Sequence, residues 1–183
     1  MKQVLVLVVV ASLVLAVAAK NLDFALEYRG QCSYANNSGF CRLKAQSQEI
    51  LTKIKADGKV ETSINRLIGS LSHLDFTDIY NATSHTFTSR GTLSFGIHRT
   101  EKDHMVEFEN QGMGRLNNTP HPDREYAFVT VWKVTKGYGA LANAIGTITA
   151  NGVYNFEKDE AIVGVVGVIW YKDDQAVIDT ADN

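Results

Sequence analysis

Apolar and polar residues alternate one for one through much of this chain, and that period constrains the fold more than any other feature. In "NLDFALEY", Leu22, Phe24, Leu26 and Tyr28 fall on one face and Asp23 and Glu27 on the other. "TLSFGIH" sets Leu93, Phe95 and Ile97 against Thr92, Ser94 and His98, and "MVEFE" sets Val106 and Phe108 against Glu107 and Glu109. Successive side chains of a strand point to opposite faces, so a period of two marks a strand with one buried side. "EYAFVTVWKVT" and "AIVGVVGVIWY" are apolar on both faces and rich in β-branched and aromatic residues, which suit a pleated surface. The links are short and turn-like at 101–103 and 158–160, with 112–124 the longer one. Closely spaced strands with short links pair antiparallel, as in a sandwich or a barrel.

The stretch 42–74 departs from this period. Ile64, Leu67, Ile68 and Leu71 recur at helical spacing, with Thr62 or Ser63 as a cap, and a shorter helical pattern covers 43–54 and ends at Asp57-Gly58. The competing reading is a hairpin turning on Asp57-Gly58 into a strand over 59–64. Later in the chain, Asn151-Gly152 reads as a tight hairpin turn between "GTIT" and "VYNF", and Gly164 and Gly167 as bends or bulges in a wall.

The N-terminus carries an address. Lys2 precedes an apolar run from Val4 to Leu15, followed by Ala16-Val17-Ala18, the small-residue cleavage pattern of a secretory signal peptide. The expected organisation is a signal peptide over 1–19, one barrel domain over 20–172 and an acidic tail over 173–183. Of the 18 Lys and Arg, the signal removes Lys2, leaving 17 against 20 Asp and Glu, a net charge of −3. No basic patch stands out, so no nucleic-acid or anionic-membrane partner is expected, and no membrane insertion after signal cleavage.

The two cysteines, Cys32 and Cys41, are expected to pair, because they lie close together in a chain bound for an oxidising compartment. Asn36, Asn81 and Asn117 each open an N-x-S/T triplet, the acceptor pattern for N-glycosylation, although Pro120 weakens the third.

Chemistry is harder to read. Gly137-Tyr138-Gly139-Ala140-Leu141-Ala142 fits G-x-G-x-x-A, but no helix follows to hold a pyrophosphate, so a dinucleotide turn is rejected and no cofactor is expected. The five histidines lack ligand spacing, and no metal is expected. Glu107 and Glu109 share a strand face; turned inward they would form an acid–base pair, turned outward they are solvated charges, and the outward reading is favoured. With His98 across a hairpin they are the weak catalytic candidates. Phe95, Ile97, Phe108, Tyr126, Phe128 and Trp132 are the candidates for lining a ligand cavity; the alternative is that they fill the core.

"KVTKGYGALANAIGTITANGVY" and the preceding "RGTLSFGIH" resemble the late segment of the allene oxide cyclase and dirigent-like barrels, in which a strand, a glycine turn, a short A-x-A-x-G crossing and another strand follow in order. The resemblance covers roughly residues 91–171. It implies an eight-stranded antiparallel barrel with a central cavity, here with one or two short helices in the first half. It also allows a cyclase or isomerase, although no catalytic position of that family can be matched. The expected function is a secreted barrel binding a small, largely apolar ligand, with such an enzyme and a pocketless surface-interaction protein as alternatives.

Overall fold

The computed structural model describes residues 19–45, 49–65, 71–96, 104–120 and 125–172. The strands are β1 (Ala19–Ala35), β2 (Ser38–Ala45), β3 (Glu49–Ile54), β4 (Val60–Asn65), β5 (Ser72–Asn81), β6 (Thr86–Phe95), β7 (His104–Asn110), β8 (Gly114–Asn118), β9 (Glu125–Tyr138), β10 (Ile145–Asn155) and β11 (Glu160–Lys172). Around the main sheet the order is β10, β11, β1, β2, β5, β6, β7 and β9, and β9 pairs back onto β10. The result is a closed, eight-stranded antiparallel barrel. β7 and β8 share one position in the wall: β9 pairs with β7 from Trp132 onward and with β8 before it, and β6 divides its pairing in the same way. The barrel closes between β1 and β11, whose pairing runs from Ala19 opposite Lys172 to Gln31 opposite Glu160.

The alternation does what it predicts. Leu22, Phe24, Leu26 and Tyr28 of β1, Leu74 and Phe76 of β5, Val163, Val165 and Ile169 of β11 and their counterparts all face inward and are buried. An eight-stranded barrel is just wide enough for side chains to fill it, and aromatic rings fill this one. Trp132 stacks on Phe108 at 4.2 Å between centroids, Phe128 stacks on Tyr154 at 4.4 Å, and Phe24 meets Phe95 edge-on at 5.5 Å.

Rings this large crowd an interior of that width, and glycine makes the space. Phe24 lies opposite Gly167, Tyr34 opposite Gly39, Phe76 opposite Gly91, Phe87 opposite Gly114, and Phe128 opposite Gly152. At Gly39, Gly114, Gly152 and Gly167 the ring of the opposite residue lies where a Cβ on the glycine would fall, and at Gly91 the Asp75 carbonyl and the Cβ of Phe76 do. Asn151-Gly152 is therefore no hairpin turn: β10 runs straight through it, and Gly152 sits in mid-strand so that the Phe128 ring can lie across it. Gly164 and Gly167 likewise belong to an unbroken β11 whose pairing shows no shift.

Among the described residues the helices expected in the first half do not form. Residues 49–65 form a hairpin, β3 with β4, around Asp57-Gly58, with Gly58 at φ +79° and Asp57 Oδ1 accepting from the backbone N–H of Lys59. The hairpin is continuous in register from Glu49 opposite Asn65 to Ile54 opposite Val60, and the β-branched pair Ile54–Val60 closes it beside the turn. Leu43, taken as the start of a helix, is a buried residue of β2; Leu67 and Ile68 lie outside the described residues. Among the described residues there is no α-helix, only one 3-10 turn at Gly139–Leu141, opened by Gly139 at φ +60°. The link 112–124, read as plain loop, contains β8. The signal-peptide reading over 1–19 falls outside the described residues except for Ala19, the first residue of β1, and the tail 173–183 lies wholly outside them.

Cys32 and Cys41 are direct cross-strand partners on β1 and β2, joined by a disulfide with Cα atoms 4.0 Å apart. The N–H of Cys32 donates instead to Asp159 O. The pair is thus a non-hydrogen-bonded one, the spacing at which two strands bring side chains closest.

Candidate functional site

At one end of the barrel the β1–β2 turn, the β5–β6 turn and β8 surround an open pocket of about 510 Å3. The rim is held by backbone bonds between elements: Tyr80 N donates to Asn37 O at 2.8 Å, and Leu116 N donates to His85 O at 2.9 Å. Asn36, Asn37 and His85 take left-handed backbone angles in these turns, φ 48°, 64° and 52°, a conformation that Asn and His tolerate better than most residues. The pocket wall is aromatic and apolar inside, with Tyr34, Tyr80, Tyr126, Phe156 and Leu116, and polar at the lip, with Asn36, Asn81, His85 and Thr86. The rings brace one another: Tyr34 to Phe156 at 4.3 Å, Tyr126 to Phe156 at 5.0 Å, and Tyr80 to Phe156 at 6.4 Å.

Below this wall lies a buried acid. Asp78 projects inward from β5 and is completely shielded from solvent. Its Oδ2 accepts from the Tyr154 hydroxyl at 2.6 Å and from the Tyr80 hydroxyl at 3.3 Å. Its Oδ1 has no hydrogen-bond partner, and neither does Oγ of Ser89, its cross-strand neighbour on β6. Burial raises the Asp78 carboxyl to about 6, against the pull of the nearby Ser89, Tyr154 and Tyr80 hydroxyls, which favour the charged form. Burial also raises the phenols of Tyr34, Tyr80 and Tyr154, and the Asp78 charge adds to the rise in each. Tyr80 therefore joins two layers, with its ring in the pocket wall and its hydroxyl on the buried acid.

Of the residues picked out from sequence, Tyr126 lines this pocket. Phe95, Phe108, Phe128 and Trp132 are packed in the barrel core against other rings, none more than 3% exposed, and none of them lines this pocket. Ile97 and His98 lie outside the described residues, as does His121. Glu107 and Glu109 face outward along a shallow hollow of about 450 Å3 that Asp75, Arg90 and Thr92 share. Glu107 accepts a short bond from the Tyr138 hydroxyl, and Glu109 pairs with Lys133 at 3.3 Å. Their strand neighbours Val106 and Phe108 take the core positions.

The sequence reading missed Asp78, Tyr80 and Tyr34. The signal was present in "LDFTDIY", where Leu74, Phe76, Asp78 and Tyr80 share the inward parity and one of the four is an acid. The three sequons also gather at this end: Asn36 and Asn81 line the pocket, and Asn117 follows its lining residue Leu116. Among the described residues no three His, Cys, Asp or Glu side chains converge as a metal site, and no helix is long and apolar enough to cross a membrane. No family model, curated protein or solved structure matches the chain.

Proposed function

We propose that this is a secreted barrel that binds a small, largely apolar ligand in the pocket at its end. One observation carries the reading. The barrel is filled with rings through its middle yet leaves about 510 Å3 open between Tyr34, Tyr80, Tyr126, Phe156 and Leu116. Ligand sites are typically concave, mostly apolar and furnished with a few placed polar groups. The lip asparagines and the Tyr80 hydroxyl are such groups. The apolar leader, the paired cysteines and the sequons around the mouth support secretion with N-glycans at the rim. The likeness to allene oxide cyclase and dirigent-like barrels supports the same kind of molecule, and the buried acid bonded to a pocket-wall phenol favours an isomerase as second reading, since such a pair supplies acid–base groups.

Thermal unfolding of the secreted protein against a panel of fatty acids, terpenoids and apolar dyes tests the binding reading. A ligand at a hundredfold excess over Kd is expected to add about 2.7 kcal/mol to stability. Tyr126→Ala is expected to weaken that gain while leaving the fold intact, because Tyr126 is only half-buried. A panel without a single stabilising compound would leave the pocketless surface-interaction reading in its place.

A further inference from the structure

We infer that Asp78 and Tyr80 form a donor–acceptor switch in the pocket wall: with Asp78 charged, Tyr80 offers a ligand only an acceptor, and with Asp78 protonated it offers a donor. The inference rests on the pocket reading above and names its ligand chemistry. Ligands carrying an N–H or O–H group suit the first state, and ligands carrying a bare carbonyl suit the second.

A phenol has one proton. In the structure the Tyr80 hydroxyl donates to Asp78 Oδ2 at 3.3 Å, so toward the pocket it presents oxygen lone pairs, with the Tyr34 hydroxyl as their neighbour. When Asp78 takes up a proton, the site for it is Oδ1, the carboxyl oxygen that has no partner, and Ser89 Oγ stands beside it as an unused acceptor. The carboxyl is then neutral, and hydrogen bonds to a neutral acceptor are about half as strong as those to a charged one. Of the two bonds on Oδ2, the 2.6 Å bond from Tyr154 persists and the 3.3 Å bond from Tyr80 gives way. The freed hydroxyl rotates about its C–O bond and directs its proton into the pocket.

The surroundings keep the switch to a single proton. The groups acting on Asp78 are the Ser89 hydroxyl from β6 and the phenols of Tyr154 from β10 and Tyr80 from β5; Tyr34 from β1 feels the Asp78 charge in turn, and Phe128 of β9 covers Tyr154 with an apolar face. Burial raises all three phenols, so they stay protonated while Asp78 titrates. No Lys, Arg or His is among the groups that shift Asp78, which leaves burial as the main influence and places the transition near 6.

Two bicyclic probes of similar size separate the states: indole, which only donates, and 1-indanone, which only accepts; neither titrates in the range used. Their Kd values are measured by calorimetric titration at about pH 8 and about pH 5, either side of the Asp78 transition. Acidification is expected to weaken indole and tighten 1-indanone, each by about three- to tenfold, the worth of one exchanged hydrogen bond. Asp78→Asn is expected to abolish the opposite movement of the two constants, His85 at the lip being common to both proteins and both probes. Tyr80→Phe keeps the ring and is expected to abolish the discrimination, so it carries the test if the Asp78 variant fails to fold. Two probes that move in the same direction, or an inversion that survives either variant, would overturn the switch and leave the pocket standing. Failure of both probes to bind at either pH would overturn the pocket reading, and the switch with it.

Discussion

Asp78→Asn is the substitution whose effect on stability follows most directly from the structure. An aspartate in the unfolded chain ionises at its ordinary value of 3.8, and in the barrel at about 6. The folded state therefore holds this proton more tightly than the unfolded state. The stabilising contribution is fully present below about pH 4 and is lost as pH rises through about 6. A shift of roughly two units corresponds to about 3 kcal/mol, and that is the cost of the buried charge above the transition. An amide removes it: its oxygen still accepts from Tyr154, and its NH2 finds Ser89 Oγ where the carboxylate left two atoms unpaired. Urea unfolding followed by circular dichroism, on both proteins at matched salt from about pH 4 to about pH 8, isolates the effect, because every other titrating group is common to the two. The variant is expected to be more stable by up to about 3 kcal/mol at the upper end, with the gap closing at the lower end. A gap that does not change with pH, or a variant less stable than the native protein at pH values above the transition, would refute the assignment of the raised carboxyl to Asp78.

Gly152→Ala places a Cβ 2.3 Å from the Ile162 carbonyl oxygen and 2.7 Å from the Phe128 ring, which Tyr154 is stacked against; a loss of about 1–3 kcal/mol is expected in the same unfolding assay. Gly164→Ala in the adjoining strand meets nothing nearer than 3.2 Å and serves as the near-neutral control. Replacing Cys32 and Cys41 together by serine is expected to cost about 3 kcal/mol, the closure entropy of a short loop. Reduction of the native protein should add two hydrogens to its mass, and two free thiols in protein folded under oxidising conditions would defeat the pairing.

The barrel was legible because one-for-one alternation is a direct print of a two-sided wall. Leu22 through Tyr28, Val106 and Phe108, and the valines of β11 are on the faces that their parity assigns. The reading failed where two local codes use the same letters. Asp57-Gly58 ends a helix or turns a hairpin, and the cross-strand register that runs from Ile54 opposite Val60 to Glu49 opposite Asn65 makes it a hairpin. Asn151-Gly152 is a turn signal in isolation, yet here the glycine answers to a ring on another strand. The site was legible only in part, with Tyr126 found in its wall and Asp78 missed. A buried acid leaves no periodic trace beyond its parity, and what singles it out is the convergence of Tyr80 and Tyr154, the latter 76 residues away along the chain.

The glycine–ring pairs bear on how the wall finds its alignment. Alternation forbids one strand from sliding past its neighbour by one residue, since every side chain would change face. It is silent on a slide by two, which returns each residue to its own side. The rings break that degeneracy. A two-residue slide of β10 on β9 would bring Phe128 against Ala150 or Tyr154, and the same slide of β11 on β1 would bring Phe24 against Val165 or Ile169. Each of those partners carries a Cβ where the ring must lie. Four such pairs are spread around the wall, at β1–β11, β1–β2, β6–β8 and β9–β10. They act as keyed teeth, and a closed cylinder cannot absorb a mismatch at one join without passing it to the next. The glycines that look in sequence like weak points of the strands are what commits the barrel to a single stagger.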